Sequence, residues 1–323
     1  MADTDRRPSI GIDIGGSHVA AGVITADGDV VDRLARPTPT DEAAAVEEAI
    51  VDLVRTLSAR HEVCAVGIGA AGWVDEHQQV VRFSPHLAWR NEPLAARLDR
   101  RITLPVVVEN DANAAAWGEY RYGAGRGTST FVMITLGTGI GGGLILDGRP
   151  YRGRWGVAGE WGHLCVVPDG QICPCGNRGC WEQYCSGEAL RREAQALAGT
   201  GSPYASALMA RVGGHPERLT GRDVTECALG GDPAAVEIVT GVGEWLGRGI
   251  AGLAAILDPE RFVVGGGVSE GGELLLGPAR QAYARHLTGR GFRPPADIVS
   301  AERGNDAGLL GAADLARRAQ RAA

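Results

Sequence analysis

A chain of 323 residues, 44% of them hydrophobic, is long enough to bury a large core, and its length suggests two domains. A net charge of −7, with no dense basic stretch except RRAQR near the C-terminus, argues against a nucleic-acid partner. All 32 basic residues are arginine, which excludes a Schiff-base lysine, a P-loop lysine and the strand lysine of protein kinases.

The N-terminal MADTDRRPSI lacks the apolar stretch of a secretory signal, and no apolar run approaches the ~18 residues that span a bilayer. A cytoplasmic protein with no membrane partner is expected. SIGIDIGGSHVAAGVITADGDVV sets apolar runs around a Gly-Gly turn and an Asp27-Gly28 turn, which predicts an antiparallel meander. Ala45, Val46, Ala49, Ile50, Leu53, Val54 and Leu57 recur at helical spacing and predict a helix over 41–60. VCAVGIGAAG and LPVVVEN read as strands on either side of a loop and the helix-like NEPLAARLDRRI. Such alternation after a meander signals an α/β domain. A helix over 111–122 leads to a second meander, TSTFVMITLGTGIGGGLILDGRPYRG, which suggests two domains that each open with a glycine-turn hairpin. Helices over 187–198 and 232–257, a strand and glycine turn in LDPERFVVGGGVS, and a final amphipathic helix in AGLLGAADLARRAQ complete the reading.

GTGIGG, residues 137–142, matches the dinucleotide fingerprint by letter, but LILDG follows it, and that fingerprint requires a helix there. Three glycine turns offer exposed amides to an anion: Gly15-Gly16-Ser17, Gly137-Thr138-Gly139 and Gly265-Gly266-Gly267. Each also reads simply as a hairpin turn. Asp13, one strand position before the first turn, is placed either to hold a metal-bound water or to form an Asx turn. In VENDAN, Glu109, Asn110, Asp111 and Asn113 stand where a strand gives way to a helix, the place where α/β sheets bind ligands. Asp111 is equally suited to cap that helix.

Five of the seven cysteines, Cys165, Cys173, Cys175, Cys180 and Cys185, crowd one segment, which in a long cytosolic chain suggests metal. His163, Cys173, Cys175 and Cys180 follow the pattern H-x9-C-x-C-x4-C and make a closed Cys3His shell. A closed shell suits structural zinc and leaves no position for catalytic water. Cys-x-Cys is not the Cys-x-x-Cys of thiol oxidoreductases. Cys165 and Cys185 are the expected spares.

The DIGGS turn, GAAGWVD, ENDAN, LGTGIGGG, GEWGH with its C-x-C-G-x-x-G-C-x-E continuation, and VVGGGVS together resemble the ROK family of bacterial sugar kinases and repressors. The likeness is strongest to its ATP-dependent glucose kinases. The resemblance implies the two-domain sugar kinase and actin-like ATPase (ribonuclease H-like) fold, α/β, with a cleft between domains. Residues 1–109 with 305–323 would form the small domain, and 110–304 the large one bearing the zinc loop. The implied activity is ATP-dependent phosphorylation of glucose at its 6-hydroxyl, with Mg²⁺ and structural Zn²⁺. Asp111 would be the general base. Gly72, Asn110, Glu160, His163 and Glu182 would bind the sugar with it. Asp13 and the three glycine turns would hold ATP. The family also implies a homodimer or homotetramer. Two positions depart from its usual pattern: Ser17 stands where Thr is usual, and His86 where Asn is usual, which bears on sugar preference.

Three rival readings carry their own signals. Another hexose or N-acetylmannosamine would keep every motif. A sugar-responsive ROK regulator would need a helix-turn-helix domain before the first strand. A glycosidase using Glu160 and Glu182 as its carboxylate pair would leave Asp111 and the glycine turns unexplained.

Overall fold

The computed structural model describes residues 6–39, 42–85 and 87–320. In chain order the elements are β1 (Ser9–Ile14), β2 (His18–Ile24), β3 (Val30–Pro37), α1 (Ala43–Ser58), β4 (Val66–Ala70), β5 (Trp73–Val74), β6 (Val81–Phe83), β7 (Arg90–Glu92), α2 (Leu94–Leu98), β8 (Val106–Asn110) and α3 (Asp111–Tyr122). There follow β9 (Phe131–Leu136), β10 (Ile140–Leu146), β11 (Arg149–Pro150), α4 (Gly187–Gly199), α5 (Ser206–Arg211), α6 (Gly221–Leu229), α7 (Pro233–Leu257), β12 (Arg261–Gly265), α8 (Glu273–His286), β13 (Asp297–Ser300) and α9 (Ala307–Ala319). Among the described residues no helix is long and apolar enough to cross a membrane. His86 lies outside the described residues.

Contact density divides the chain into two compact units, Met1–Thr130 with Gly143–Gly159 and Glu302–Ala323, and Phe131–Gly142 with Glu160–Ala301. The sequence reading drew its boundary at 110, whereas this division keeps α3 and residues 143–159 with the N-terminal segments.

In the first unit the sheet runs β3-β2-β1-β4-β8. β1, β2 and β3 form the antiparallel meander expected from their turns, and β4 and β8 join in parallel. Gly11 of β1 and Gly67 of β4 are register partners, and a Cβ on either would strike the backbone of α9 at Leu309 or Ala312. Glycine at both positions lets α9 lie directly on the strands. Ile10 and Ile12 point to the opposite face and join a core with Val46, Ile50, Leu53 and Leu57 of α1. β5, β6 and β7 make a small antiparallel sheet where the sequence reading had a loop and the start of the helix-like NEPLAARLDRRI, because strands of two or three residues are too short to show a period. The helix read across NEPLAARLDRRI shrinks to α2, since Asn91 sits at φ 49° and Pro93 precedes the first turn.

A second sheet runs β11-β10-β9-β12-β13, with β9, β12 and β13 parallel. In the second unit, α7 begins cleanly because Asp232 accepts a hydrogen bond from the Ala235 amide at 2.8 Å and Pro233 occupies the first helical position. α5, α6, α8 and β13 were not read from sequence; in α8 the Gly277-Pro278 pair breaks an otherwise helical spacing of Leu275, Leu276, Ala279, Ala282 and Tyr283.

Helices α3 and α9 are locked by one carboxylate. Asp314 accepts from Trp117 Nε1 at 2.9 Å, Tyr122 OH at 2.9 Å, Arg317 Nη2 at 3.1 Å and Arg318 Nε at 2.8 Å. Burial alone would raise its pKa, but the charges of Arg318 and Arg121 and the hydrogen bonds from Arg318 and Tyr122 outweigh burial and hold the carboxyl down at about 2. Arg317 is only 2% exposed, so Asp314→Asn leaves a buried cation without its counter-ion. We expect a loss of about 3–5 kcal/mol at neutral pH, read as a lowered melting temperature. A depressed carboxyl stabilises the fold fully above its unfolded value of 3.8 and loses that contribution as pH falls toward about 2, so the difference between wild type and variant should narrow on acidification. A difference equal at pH 7 and pH 3 would contradict this account.

Candidate active site

In the first unit, the C-terminal ends of β1, β4 and β8 bring the acidic residues into line. Asp13 pairs in register with Gly69, and Gly69 with Glu109. Asn110 ends β8 in extended backbone and caps α3, its Oδ1 accepting from the Asn113 amide at 2.9 Å. The cap is therefore filled, and Asp111 becomes the first helical residue. Its Oδ1 accepts from the Ala112 amide at 2.9 Å and from Asn110 Nδ2 at 3.0 Å, where the helix N-terminus favours negative charge. Asn110 Nδ2 also donates to the Gly72 carbonyl at 2.9 Å, so both its amide hydrogens are engaged. What Asn110 retains for a ligand is the second lone pair of Oδ1.

Glu109 is only 2% exposed. Its carboxylate accepts from Arg152 Nε at 2.6 Å, Gln78 Nε2 at 3.0 Å, Asn113 Nδ2 at 3.3 Å and the Asn110 amide at 3.1 Å, with Arg152 Nη2 at 2.5 Å completing the ion pair. Sequence reasoning placed Glu109 at the site but missed Arg152 and Gln78. A glutamate ending an apolar strand signals that some partner must exist, yet nothing in the spacing says which.

Asp13 lies inside β1, half-buried, and burial pushes its carboxyl up to about 6. The adjoining turn is tied by the Gly15 amide to the His18 carbonyl at 3.0 Å and by Thr38 Oγ1 to the Gly15 carbonyl at 2.8 Å. Gly16 and Ser17 stay exposed, and Ser17 Oγ meets His18 Nδ1 at 3.0 Å.

In the second unit, the other two glycine turns lie side by side. Gly265 pairs in register with Thr135, so Gly265-Gly266-Gly267 and Gly137-Thr138-Gly139 leave adjacent parallel strands at the same end. The first amides of α4 fix one of them, Gly187 N to the Gly137 carbonyl at 2.8 Å and Glu188 N to the Thr138 carbonyl at 3.2 Å. Gly137, Thr138, Gly266 and Gly267 remain exposed. β10, not a helix, follows Gly139, which removes the dinucleotide reading.

The cysteine segment folds back on itself. Glu160 precedes a short 3-10 turn, Trp161–His163, and Cys173 to Gly176 form a tight turn in which the Gly176 amide donates to the Cys173 carbonyl at 2.9 Å. His163, Cys173, Cys175 and Cys180 converge, their donor atoms all within 4.8 Å of one another. A tetrahedral zinc with bonds of about 2.0 Å to nitrogen and 2.3 Å to sulfur sets its donors about 3.5–3.8 Å apart. The separations here, His163 Nδ1 to Cys173 Sγ and Cys175 Sγ to Cys180 Sγ, are both 3.7 Å. In its chemistry and in these two separations the donor set is compatible with zinc, and Cys165 and Cys185 stand outside it.

His163 turns Nδ1 toward the thiols and Nε2 toward Glu160, whose Oε2 is 3.8 Å away. Glu182 Oε1 accepts from the Cys173 thiol at 3.0 Å, and its other oxygen faces Gly139 so closely that a Cβ there would lie 2.5 Å from it. The loop is braced by Trp181, fully buried, whose Nε1 donates to the Trp245 carbonyl at 2.9 Å, and by Ser186 Oγ, which donates to the Glu182 carbonyl at 2.7 Å.

The ROK family model matches residues 9–319. The chain is 48% identical to a glucokinase of Streptomyces coelicolor over 96% of its own length and 97% of that protein, and 37% identical to a glucokinase of Thermotoga maritima over 95% and 96%. Among solved structures, a ROK family glucokinase of Streptomyces griseus in complex with glucose and AMPPNP superposes with a TM-score of 0.88 at 48% identity, covering 96% of this chain and 99% of that one. The fold is that of two-domain sugar kinases of the actin-like ATPase class. With a family match running from the first strand to the last helix, the protein belongs to the ROK family.

Proposed function

We propose that this protein transfers the γ-phosphoryl group of ATP to the 6-hydroxyl of glucose. The observation that carries the reading is the Asp111 carboxylate, released from capping by Asn110 and held at the head of α3 by two N–H donors. The identity of sugar and nucleotide follows from the relationship to the enzyme bound to glucose and AMPPNP. Asp111 takes the hydroxyl proton as the sugar oxygen attacks phosphorus, a role that requires a carboxylate within hydrogen-bond reach. Phosphoryl transfer otherwise asks for positioning and charge neutralisation. The amides around Gly15, Gly16, Ser17, Gly137, Thr138, Gly139 and Gly265 to Gly267 serve the phosphates. Asp13 would hold Mg²⁺ through water, and the metal, when bound, neutralises phosphate charge.

Sugar hydroxyls are taken by Glu160, Glu182, His163 Nε2, the free lone pair of Asn110 and the backbone near Gly72. His163, Cys173, Cys175 and Cys180 would hold zinc, which would fix the ring orientation and tautomer of His163 and leave its Nε2 to face the sugar. The active form is a homodimer or homotetramer working in the cytoplasm.

Asp111→Asn keeps the Asn110 hydrogen bond while removing the base, so kcat should fall about 10²–10⁴-fold with a far smaller change in KM. A coupled assay with ATP across glucose, mannose, fructose, allose and N-acetylmannosamine reads both this and the sugar preference. Full turnover by the variant would end the general-base reading, and a better substrate than glucose would replace the sugar. For the metal, elemental analysis should find zinc in the purified chain and its loss in Cys173→Ser and Cys175→Ser, together with a raised KM for glucose. Zinc retained by both variants would refute the ligand set.

A further inference from the structure

A fifth thiol stands across from one of the four metal donors. Cys165 and Cys180 are partners in an isolated antiparallel bridge. The hydrogen bonds beside it run from the Val166 amide to the Gly179 carbonyl at 2.8 Å and from the Trp181 amide to the Leu164 carbonyl at 2.8 Å. Each bond joins the residue after one cysteine to the residue before the other, so the cysteines form a non-hydrogen-bonded pair. That pairing brings opposed Cα atoms to about 4.5 Å with both side chains on the same side, the closest approach an antiparallel ladder offers. A disulfide needs a Cα separation of about 4.4–6.8 Å. Cys165 is exposed, whereas Cys180 has no solvent-exposed surface, and its Sγ lies 3.7 Å from Cys175 Sγ in the donor cluster. Cys180 therefore has its Sγ in the donor cluster and its backbone paired with that of Cys165.

We infer that Cys165 is a hydroperoxide-reactive site whose oxidation ends in a disulfide to Cys180 and withdraws that donor from the metal. The Cys165 sulfur attacks the peroxide, an S–O bond forms as the O–O bond breaks, and the remaining oxygen leaves as alcohol or water. The Cys180 sulfur then attacks the sulfenic sulfur, forming S–S and expelling hydroxide, which takes a proton from the Cys180 thiol or from solvent where Cys180 is already a thiolate. Two thiols are oxidised by two electrons, and one peroxide is reduced. Three donors remain, His163, Cys173 and Cys175, and a tetrahedral site stripped of a thiolate holds zinc less tightly. The consequence reaches the sugar through His163, whose ring the metal orients. This inference rests on the reading of the four donors as a zinc site.

The test uses the full-length, zinc-loaded protein treated with hydrogen peroxide, with released metal followed by a chromogenic chelator and the thiols followed by peptide mass mapping. Wild type should release its zinc as a Cys165–Cys180 linkage appears with the loss of two hydrogens, and a dithiol with added zinc should reverse both. Cys165→Ser should keep basal activity and zinc content, and release metal at least about tenfold more slowly at the same dose, since the exposed attacking thiol is gone. Release from Cys165→Ser at the wild-type rate, or a linkage confined to Cys173, Cys175 and Cys180, would overturn the inference. A chain that carries no zinc as purified would instead remove the metal reading. The Cys165–Cys180 linkage would then still be scored by mapping, so the two failures are distinguishable.

Discussion

The first unit's chemistry depends on a buried carboxylate that cannot be left unpaired. Glu109 stands one residue before the end of β8 with almost no access to water, and an ionised carboxylate in such a place costs several kcal/mol unless its charge and lone pairs are met. Its donors come from three separate stretches of chain: Gln78 before β6, Asn110 and Asn113 around the head of α3, and Arg152 after β11. Satisfying one charge thereby ties those stretches together. The next residues inherit the order. Asn113 is held by its side chain to Glu109 and by its amide to Asn110, so the cap cannot shift by one residue, and Asp111 is left as the first residue of the helix.

This arrangement also explains why Arg152 is arginine. Nε and Nη2 of Arg152 both meet Glu109 Oε2, two donors in a fixed plane that a guanidinium supplies and an ammonium does not. In a chain without lysine the same side chain serves the buried pair at Glu109 and the buried pair at Asp314. In the proposed reaction, by contrast, the phosphates would be met by backbone amides in the glycine turns.

How much of this was legible in the sequence depends on range. Turn chemistry and helical spacing are local, so the first meander was readable from its paired glycines, and α3 and α7 were placed to within a residue of their observed ends. The convergence of His163, Cys173, Cys175 and Cys180 was readable because all four fall within one segment and their types allow few alternatives. The choice between Asp111 as cap and Asp111 as first helical residue was not, because Asn and Asp are near equals at a cap and only the Glu109–Asn113 bond separates them. Arg152 and Gln78 were invisible for the same reason: the contact joins residues far apart in the chain, and no period records it. The short strands β5 to β7 and the proline-bearing α8 escaped because their patterns are too brief or are broken.

The glycine turn at 137–139 carries two different demands, which its letters do not separate. Gly137 and Thr138 are exposed, their carbonyls held by the first amides of α4, so their own surfaces remain open to an anion. Gly139 answers to something else. Glu182 reaches it from the far end of the cysteine segment, and any side chain at 139 would displace that carboxylate. Glu182 Oε1 lies 3.0 Å from Cys173 Sγ, so a residue that reads as part of a phosphate turn is conditioned by the cysteine segment. A carboxylate wedged between Cys173 and Gly139 has little rotamer freedom left. Gly139 and the cysteine segment thus limit together where the Glu182 carboxylate can point.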